Sequence, residues 1–166
     1  MSAAPRLALR PLLPTDTPAL AALFRSAIAE LTGEDYDPDQ QEAWASAADD
    51  EEAFGARLAG LLTLVAVRAG AAVGFVALKD DSHVELLYVH PDAVGSGVAA
   101  ALCEAAETLA RGRGTKALTV DASDTALGFF QKRGYQPQRR NTVAVAGEWL
   151  SNTTLRKTLG EGGRLQ

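Results

Sequence analysis

The feature that most constrains this chain is a pair of glycines set between a strand-like segment and a helix-like segment. Residues 83–89 alternate in a way typical of a β-strand, and Gly95 and Gly97 stand just before the alanine-rich run that opens a helix. Glycines at such a junction leave the backbone N–H groups of the helix N-terminus open to an anion. The pattern therefore indicates an α/β fold with a phosphate-binding turn in its middle.

Composition bounds the class of protein. The chain has 166 residues, of which 47% are hydrophobic, and a net charge of −5, which suits one globular domain that does not bind nucleic acid. Cys103 is the single cysteine and there are two histidines, so neither an intrachain disulfide nor a metal site is expected. No signal-peptide pattern and no apolar run of about 20 residues is present, which favours a soluble, cytoplasmic protein without a membrane span.

Hydrophobic periodicity predicts the order β-α-α-β-β-β-α-β-α-β-β, a single mixed α/β domain over residues 1–159 with a disordered tail over 160–166. Turns are predicted at 69–70, at 79–82 and near Gly147. Thr17 is expected to cap the first helix. In the helix after the glycines, the expected core-facing residues are Val98, Leu102, Ala105 and Leu109. The residues expected to face water are Glu104, Glu107 and Arg111.

The two glycines also fit a dinucleotide-binding fingerprint, G-x-G-x-x-A, ending at Ala100, with Asp121 about 20 residues further on. Three facts weigh against that interpretation. Five residues separate the strand from Gly95, too few residues remain after Asp121 for further β-α units, and an antiparallel-looking section comes first. A loop that binds no ligand is the second alternative, because glycine is common at helix starts.

The order of segments resembles that of the GNAT superfamily of N-acetyltransferases. The stretch "VHP", followed by "VGSGVA", is similar to the superfamily's strand end and its Q/R-x-x-G-x-G/A signature, except at Val94. "VDASDTALGFFQKRGY" resembles its second hallmark. "EDYDPDQQEAWA", together with "RNTV" and "GEWLSNTTL", resembles a bacterial, YafP-like subgroup. The resemblance covers nearly the whole chain.

This resemblance implies a mostly antiparallel sheet of about seven strands flanked by about four helices, splayed between strands 4 and 5. It implies transfer of acetyl from acetyl-CoA to an unidentified primary amine by direct attack. A CoA-binding regulator without activity and a dinucleotide-dependent oxidoreductase are the alternatives. The residues that the resemblance assigns to acetyl-CoA are Leu87, Tyr88, Val89, Gly95, Ser96, Gly97, Val98, Ala99, Ala100, Ser123 and Phe130.

Val94 departs from the signature, because a glutamine or arginine there would add a side-chain contact to the cofactor. Its absence is expected to weaken CoA binding modestly, since the amides remain. Arg111 or Arg113 could substitute for that contact, although nothing in the sequence brings either arginine to the glycines.

Three residues are candidates for the general base. An amine with a pKa near 10.4 must lose a proton before it attacks, and a carboxylate beside the thioester can take that proton. Alternation puts His83, Glu85, Leu87 and Val89 on one strand face, which makes Glu85 the first candidate and His83 the second. Asp121, at the end of the next strand, is the third.

The general acid is missing from its usual place. The resemblance implies a tyrosine that protonates the departing thiolate, but Phe130 stands there. Water is one replacement for that acid, because a thiol with a pKa of about 8.5 gives a tolerable leaving group. The alternative is another tyrosine, and among Tyr36, Tyr88 and Tyr135 the one near the expected acceptor groove is Tyr36.

The acceptor groove is expected to lie opposite the cofactor, between the first helices and the last two strands. Aromatic and polar side chains there would bind the amine. The selected candidates are Tyr36, Trp44, Asn141 and Trp149, with Arg140, Glu148 and Asn152 beside them. Trp44 also fits a core position. Edge strands of such a sheet leave room for a homodimer.

Overall fold

A computed structural model describes residues 5–160 of the chain. Seven strands form one sheet in the order β1-β2-β3-β4-β5-β7-β6. Within the described residues the strands are β1 Leu7–Pro11, β2 Leu62–Arg68, β3 Ala71–Lys79, β4 His83–Val89, β5 Ala117–Ser123, β6 Gln136–Val145 and β7 Glu148–Thr158. The α-helices are α1 Thr17–Leu31, α2 Pro38–Ala45, α3 Glu51–Ala59, α4 Val98–Gly112 and α5 Leu127–Lys132. Residues 161–166 of the predicted tail lie outside the described part.

The sheet is antiparallel except where β4 meets β5. This topology confirms the predicted mixed fold and its splay, and it excludes the largely parallel sheet of a dinucleotide-binding domain. The described residues form five α-helices where about four were expected, because the acidic segment after α1 divides into α2 and α3.

Helices cover both faces of the sheet, and each face has its own hydrophobic core. The α1-side core joins α1 and α3 to Val65, Phe75 and Leu86. The α4-side core joins α4 and α5 to Leu118, Val120 and other residues. Strand β3 lies between the two cores, and its residues 74–78 are all buried, which is why that stretch is continuously small or apolar.

The predicted faces of α4 are partly wrong. Val98 and Leu102 are buried as expected, but Ala106 and Ala110 complete the buried face, whereas Ala105 and Leu109 are only half-buried. Glu107 does not face water, since it is 3% exposed. Its carboxylate accepts hydrogen bonds from Lys157 Nζ and Tyr135 Oη, both at 2.9 Å, and these partners on other elements make burial of the charge tolerable.

The cap of α1 is also different from the prediction. Thr17 is the first residue of the helix, and Asp16 holds the N-cap position. The Asp16 side chain accepts from the Leu13 amide at 2.7 Å and pairs with both Arg10 guanidinium nitrogens at 2.8 Å. The three predicted turns are present, with left-handed residues at 69–70, 80–81 and 146–147. The first and third are two-residue hairpin turns, whereas residues 80–82 lie between the paired Lys79 and His83.

Strands β1 and β6 form the edges of the sheet. The homodimer expected to use such an edge stays a prediction. Among the described residues, no helix has the length and apolar character needed to cross a membrane.

Candidate active site

The sheet opens between β4 and β5. These strands pair only through His83 with Thr119 and Val84 with Val120, and beyond Val84 they separate. A cavity of about 180 Å³ fills the gap, lined by residues 84–89 of β4, residues 120–123 of β5 and parts of α1 and α5. Strand separation therefore creates a slot with two unpaired strand edges as its walls.

A β-bulge lies at the start of this slot. Leu86 is paired with Ala77 and Val84 with Leu78, so Glu85 is an extra residue on β4. The bulge breaks the expected alternation. Val84 belongs to the α4-side core and Leu86 to the α1-side core, although they are two residues apart. The prediction that Glu85 shares a face with Leu87 and Val89 is therefore wrong, because those two pack on the α4 side.

The backbone of β4 presents polar groups to the slot. The His90 amide donates to the Val73 carbonyl at 2.8 Å on the β3 side. Hydrogen-bonded pairs alternate along an antiparallel ladder, so Tyr88 and Leu86 also bond toward β3. The N–H and C=O groups of Leu87 and Val89 consequently point toward the slot.

The three candidate bases meet where the strands part. His83 Nε2 lies 3.8 Å from Glu85 Oε1 and 3.8 Å from Asp121 Oδ2. His83 Nδ1 is 2.7 Å from Thr119 Oγ1, which fixes the ring. Distances of 3.8 Å are too long for direct hydrogen bonds and suit a bridging water. Glu85 and Asp121 both line the cavity.

Arg57 on α3 completes this cluster, and sequence reasoning missed it. Its Nη2 is 3.3 Å from Glu85 Oε2, which leaves Oε1 on the His83 side. No local pattern marks Arg57, because it is 28 residues from Glu85 and α3 meets β4 only through packing of the α1-side core.

The glycine turn follows β4, whose last residue, Val89, lines the slot. Gly95 and Gly97 have φ values of 80° and 87°, and a Cβ added to either would meet nothing within 4 Å. Gly97 is the N-cap of α4. Within residues 5–160, five amides of the turn and the first helical positions have no hydrogen-bond acceptor; they belong to Gly95, Gly97, Val98, Ala99 and Ala100. This arrangement is an anion-binding cradle.

Ser96 and Val94 offer fewer free polar groups to an anion than the other residues of the turn. The Ser96 amide donates to Ala93 O at 3.3 Å and its hydroxyl also donates to that carbonyl, so Ser96 is less available than the glycines. Val94 is 55% exposed and offers no polar side-chain atom.

The two arginines named as possible substitutes for a contact at Val94 lie elsewhere. Arg113 pairs with Asp81 at 3.0 Å, and Arg111 lies 4.0 Å from Glu107. Both arginines are at the far end of α4, about 20 Å from the turn.

The cavity's other wall holds Ser123 and Phe130. Ser123 Oγ accepts from the Ala126 amide at 3.1 Å, so it caps the turn before α5 while it borders the slot. Phe130 is buried and packs edge-on against Tyr135, with ring centroids 5.2 Å apart. It gives the slot an apolar surface where the resemblance implies a tyrosine hydroxyl.

The tyrosines are placed differently from one another. Tyr36 is 6% exposed, and its hydroxyl donates to Ser151 O at 2.7 Å and accepts from the Asp124 amide at 2.9 Å. Burial raises the pKa of Tyr36, and the side chain does not border the cavity. Tyr88 does border it; its hydroxyl accepts from Trp44 Nε1 at 3.0 Å, and burial raises the pKa of Tyr88 to about 12.

Of the other predicted acceptor residues, Trp44 and Asn141 are connected to the site, whereas Trp149 is not. Trp44 lines the cavity and packs on the α1-side core. Asn141 Nδ2 donates to Thr154 Oγ1 at 2.8 Å, and Thr154 in turn donates to Asp121, so Asn141 is connected to the site. Trp149 is 66% exposed and does not line the cavity.

Comparisons with known proteins agree with this geometry. A family model described as "Acetyltransferase (GNAT) domain" matches residues 32–158. The chain is 32% identical over 143 residues to the "Uncharacterized N-acetyltransferase YafP" of Escherichia coli K12, covering 86% of this chain and 90% of that protein. A GCN5-related N-acetyltransferase from Rhodopseudomonas palustris superposes with a TM-score of 0.92 at 54% identity, covering 96% of this chain and 99% of the other.

A more distant structure shares the fold. The PaiA N-acetyltransferase from Thermoplasma acidophilum, solved in complex with coenzyme A, has a TM-score of 0.75 at 16% identity, covering 92% of this chain and 99% of that one. The splayed sheet and the cradle define an acyltransferase of the acetyl-transfer class. The chain belongs to the GNAT acetyltransferase family, which confirms the resemblance seen in its sequence.

Proposed function

We propose that this protein transfers an acetyl group from acetyl-CoA to a primary amine by direct attack, with Glu85 as the general base. The observation that carries the proposal is the opening of the sheet just after Val84, which places Glu85 at the apex of the slot. The edge of β4 that faces the slot runs from the carboxylate of Glu85 to Val89, and the amide cradle follows the end of that strand.

The residues of the cradle and of the β4 edge fit coenzyme A. Five unpartnered amides and two left-handed glycines suit a pyrophosphate, and the unpaired edge formed by Leu87 and Val89 suits the amide groups of a pantetheine arm. Acetyl-CoA supplies an activated thioester. Phe130 and the apolar side of the slot exclude water from that thioester.

Glu85 takes the proton that the amine must lose. An ammonium with a pKa near 10.4 cannot attack, and a carboxylate reached directly or through one water removes this barrier. Arg57 holds one oxygen of Glu85 and orients the other toward His83, so a proton has a path by way of His83 to Asp121. The amine nitrogen then forms its bond to the acetyl carbon.

A backbone amide of Leu87 or Val89 stabilises the oxygen on which negative charge develops. These amides point into a slot with apolar lining such as Phe130, and hydrogen bonds to a developing charge have their largest effect where water is excluded. The carbon–sulfur bond breaks as the amide product forms. The sulfur leaves as a thiolate and, by way of water, takes up the second proton that the nitrogen loses, because a thiol with a pKa of about 8.5 does not require a dedicated acid at Phe130.

The decisive experiment follows thiol release with a panel of amines for the wild type and for Glu85→Gln. We expect kcat/KM to fall by about 100-fold or more, since general-base catalysis contributes about 10²–10⁴. The dissociation constant for acetyl-CoA should remain within about twofold. Glu104→Gln, an exposed carboxylate on α4, is the control and should behave as wild type.

Comparison with His83→Gln and Asp121→Asn separates the candidate bases. A Glu85→Gln enzyme with full activity at every pH would refute the base assignment, and the variant with the largest loss would then identify the base. Saturable acetyl-CoA binding without transfer to any amine would favour the alternative, a CoA-binding regulator.

A further inference from the structure

The cradle at the start of α4 has amides but no charged side chain from its own turn. Val94 stands where a glutamine or arginine is expected, and its exposed side chain is apolar. A pyrophosphate is negatively charged at neutral pH, and amide dipoles alone leave that charge without an opposite full charge. A cation from another element would supply it.

Arg68 is such a cation. It ends β2 on the same side of the sheet as Leu64 and Ala66, which pack on the α4-side core. Its Nη1 donates to Ser96 Oγ at 2.9 Å, and Ser96 stands between the two left-handed glycines of the turn. The guanidinium therefore lies against the middle of the cradle.

Ser96 acts as the connection between Arg68 and the turn. Its hydroxyl proton goes to the Ala93 carbonyl, so the oxygen is left to accept from Arg68. A serine between the glycines can do this, because its amide and hydroxyl proton bond to Ala93 while its oxygen still accepts from Arg68.

The remaining donors of Arg68 are not used by a carboxylate. In residues 5–160, Arg68 has a single side-chain hydrogen bond and no ion pair. The arginines that do pair with carboxylates are Arg10 with Asp16, Arg57 with Glu85, Arg111 and Arg133 with Glu107, Arg113 with Asp81 and Arg140 with Asp124. Planar N–H groups of Arg68 thus remain for a phosphate, which a guanidinium binds with two parallel hydrogen bonds.

We propose that Arg68 binds the pyrophosphate of coenzyme A and replaces the side-chain contact that Val94 cannot make. This inference rests on the proposed function only in that the cradle holds coenzyme A. The positive charge that faces the pyrophosphate then comes from Arg68 in the β2–β3 hairpin, 28 residues before Ser96 in the signature turn.

The test measures binding of coenzyme A and of 3′-dephospho-coenzyme A by calorimetry, without an acceptor. We expect Arg68→Gln to weaken both ligands by about tenfold, the size of one charge-assisted contact in a half-exposed site. The dependence of affinity on salt should become shallower. Adding Val94→Arg to Arg68→Gln should restore most of the affinity, because that arginine occupies the position of the family signature.

Arg113→Gln is the matched control, since it removes an arginine from the far end of α4 and should leave both affinities unchanged. Unchanged affinity of Arg68→Gln for coenzyme A would overturn the proposal. A loss confined to coenzyme A, with 3′-dephospho-coenzyme A unaffected, would also overturn it, because Arg68 would then contact the 3′-phosphate. Binding without turnover in the wild type would refute only the proposed function.

Discussion

At the scale of the residue, Cys103 shows how its surroundings decide the chemistry of a side chain. Its Sγ donates to Oε2 of Glu107, one turn further along α4, at 3.3 Å, and Cys103 is 1% exposed. Burial, together with the charge of Glu107, raises the pKa of Cys103 to about 11. A thiol is reactive only as a thiolate, so this cysteine is chemically quiet in the folded protein.

We therefore expect native protein at about pH 8 to show no free thiol to a disulfide-exchange dye, and to show one equivalent after unfolding. The reagent would then report only coenzyme A released by the enzyme. Ser82→Cys, at an exposed turn, is the positive control and should react at once. Rapid stoichiometric labelling of the native wild type would contradict the expectation.

Glu85 illustrates the same dependence on surroundings. Its sequence neighbours place it on a strand, but the bulge turns it to the α1 side, where Arg57 reaches it. The cluster with His83 and Asp121 exists only because two strands and a helix converge there.

At the scale of the element, the position of α4 is set by its close contact with β3. A Cβ on Gly74 would come within 2.9 Å of Val98 Cγ1 and 3.0 Å of Leu102 Cδ1. Val98 is the first residue of α4 and provides one amide of the cradle. Because Gly74 has no side chain, the first turn of α4 lies close to the sheet, and so does the anion site that this turn helps to form.

Gly74→Ala should destabilise the protein by about 1–3 kcal/mol, the usual effect of overpacking, and should weaken coenzyme A binding by displacing the start of α4. Denaturant unfolding and calorimetry measure the two effects. Gly112→Ala, at the other end of α4 with open space around it, should change stability by less than about 1 kcal/mol and leave binding intact. A Gly74→Ala protein as stable as the wild type would show that the helix is not held in this way.

At the scale of the whole molecule, Glu107 joins three elements of the α4-side layer. It receives hydrogen bonds from Tyr135 and from Lys157 on β7, and Arg133 lies 3.5 Å away. Burial alone would raise the pKa of Glu107, but the hydrogen bonds from Lys157, Tyr135 and Cys103 outweigh it and lower the pKa. Because the folded pKa lies below the unfolded value of about 4.3, ionised Glu107 stabilises the fold above that pH.

The stabilisation should be lost as the pH falls through the lowered pKa of Glu107. We expect the wild type's free energy of unfolding to decrease below about pH 4.3 and Glu107→Gln to show a shallower decrease. At about pH 7 the variant should be less stable by about 3 kcal/mol, since it leaves partly buried cations unpaired. Urea unfolding from acid to neutral pH measures both.

Glu104→Gln, on the exposed side of the same helix, should differ from the wild type by less than about 0.5 kcal/mol. Equal stability of Glu107→Gln and wild type at neutral pH would show that the buried network does not hold the layer together.

Much of this protein could be predicted from residues close together in the chain. Alternation and helical periodicity predicted the strands, the turns at 69–70 and 146–147, and most of the helices, because these patterns report on which side of an element is buried. The glycine turn was visible for the same reason: its backbone conformation depends on the residues within it.

The order of elements and the cradle were already present in the amino-acid sequence, because both follow from local backbone preference and hydrophobic pattern, and the family followed from the resemblance of its motifs. The bulge at Glu85, the burial of Glu107 and the contacts of Arg57 and Arg68 appear only in the folded molecule. Each of these joins residues that are far apart in the chain or depends on the register between strands. Such contacts are set by how the helices and the sheet pack, which no pattern within one element encodes.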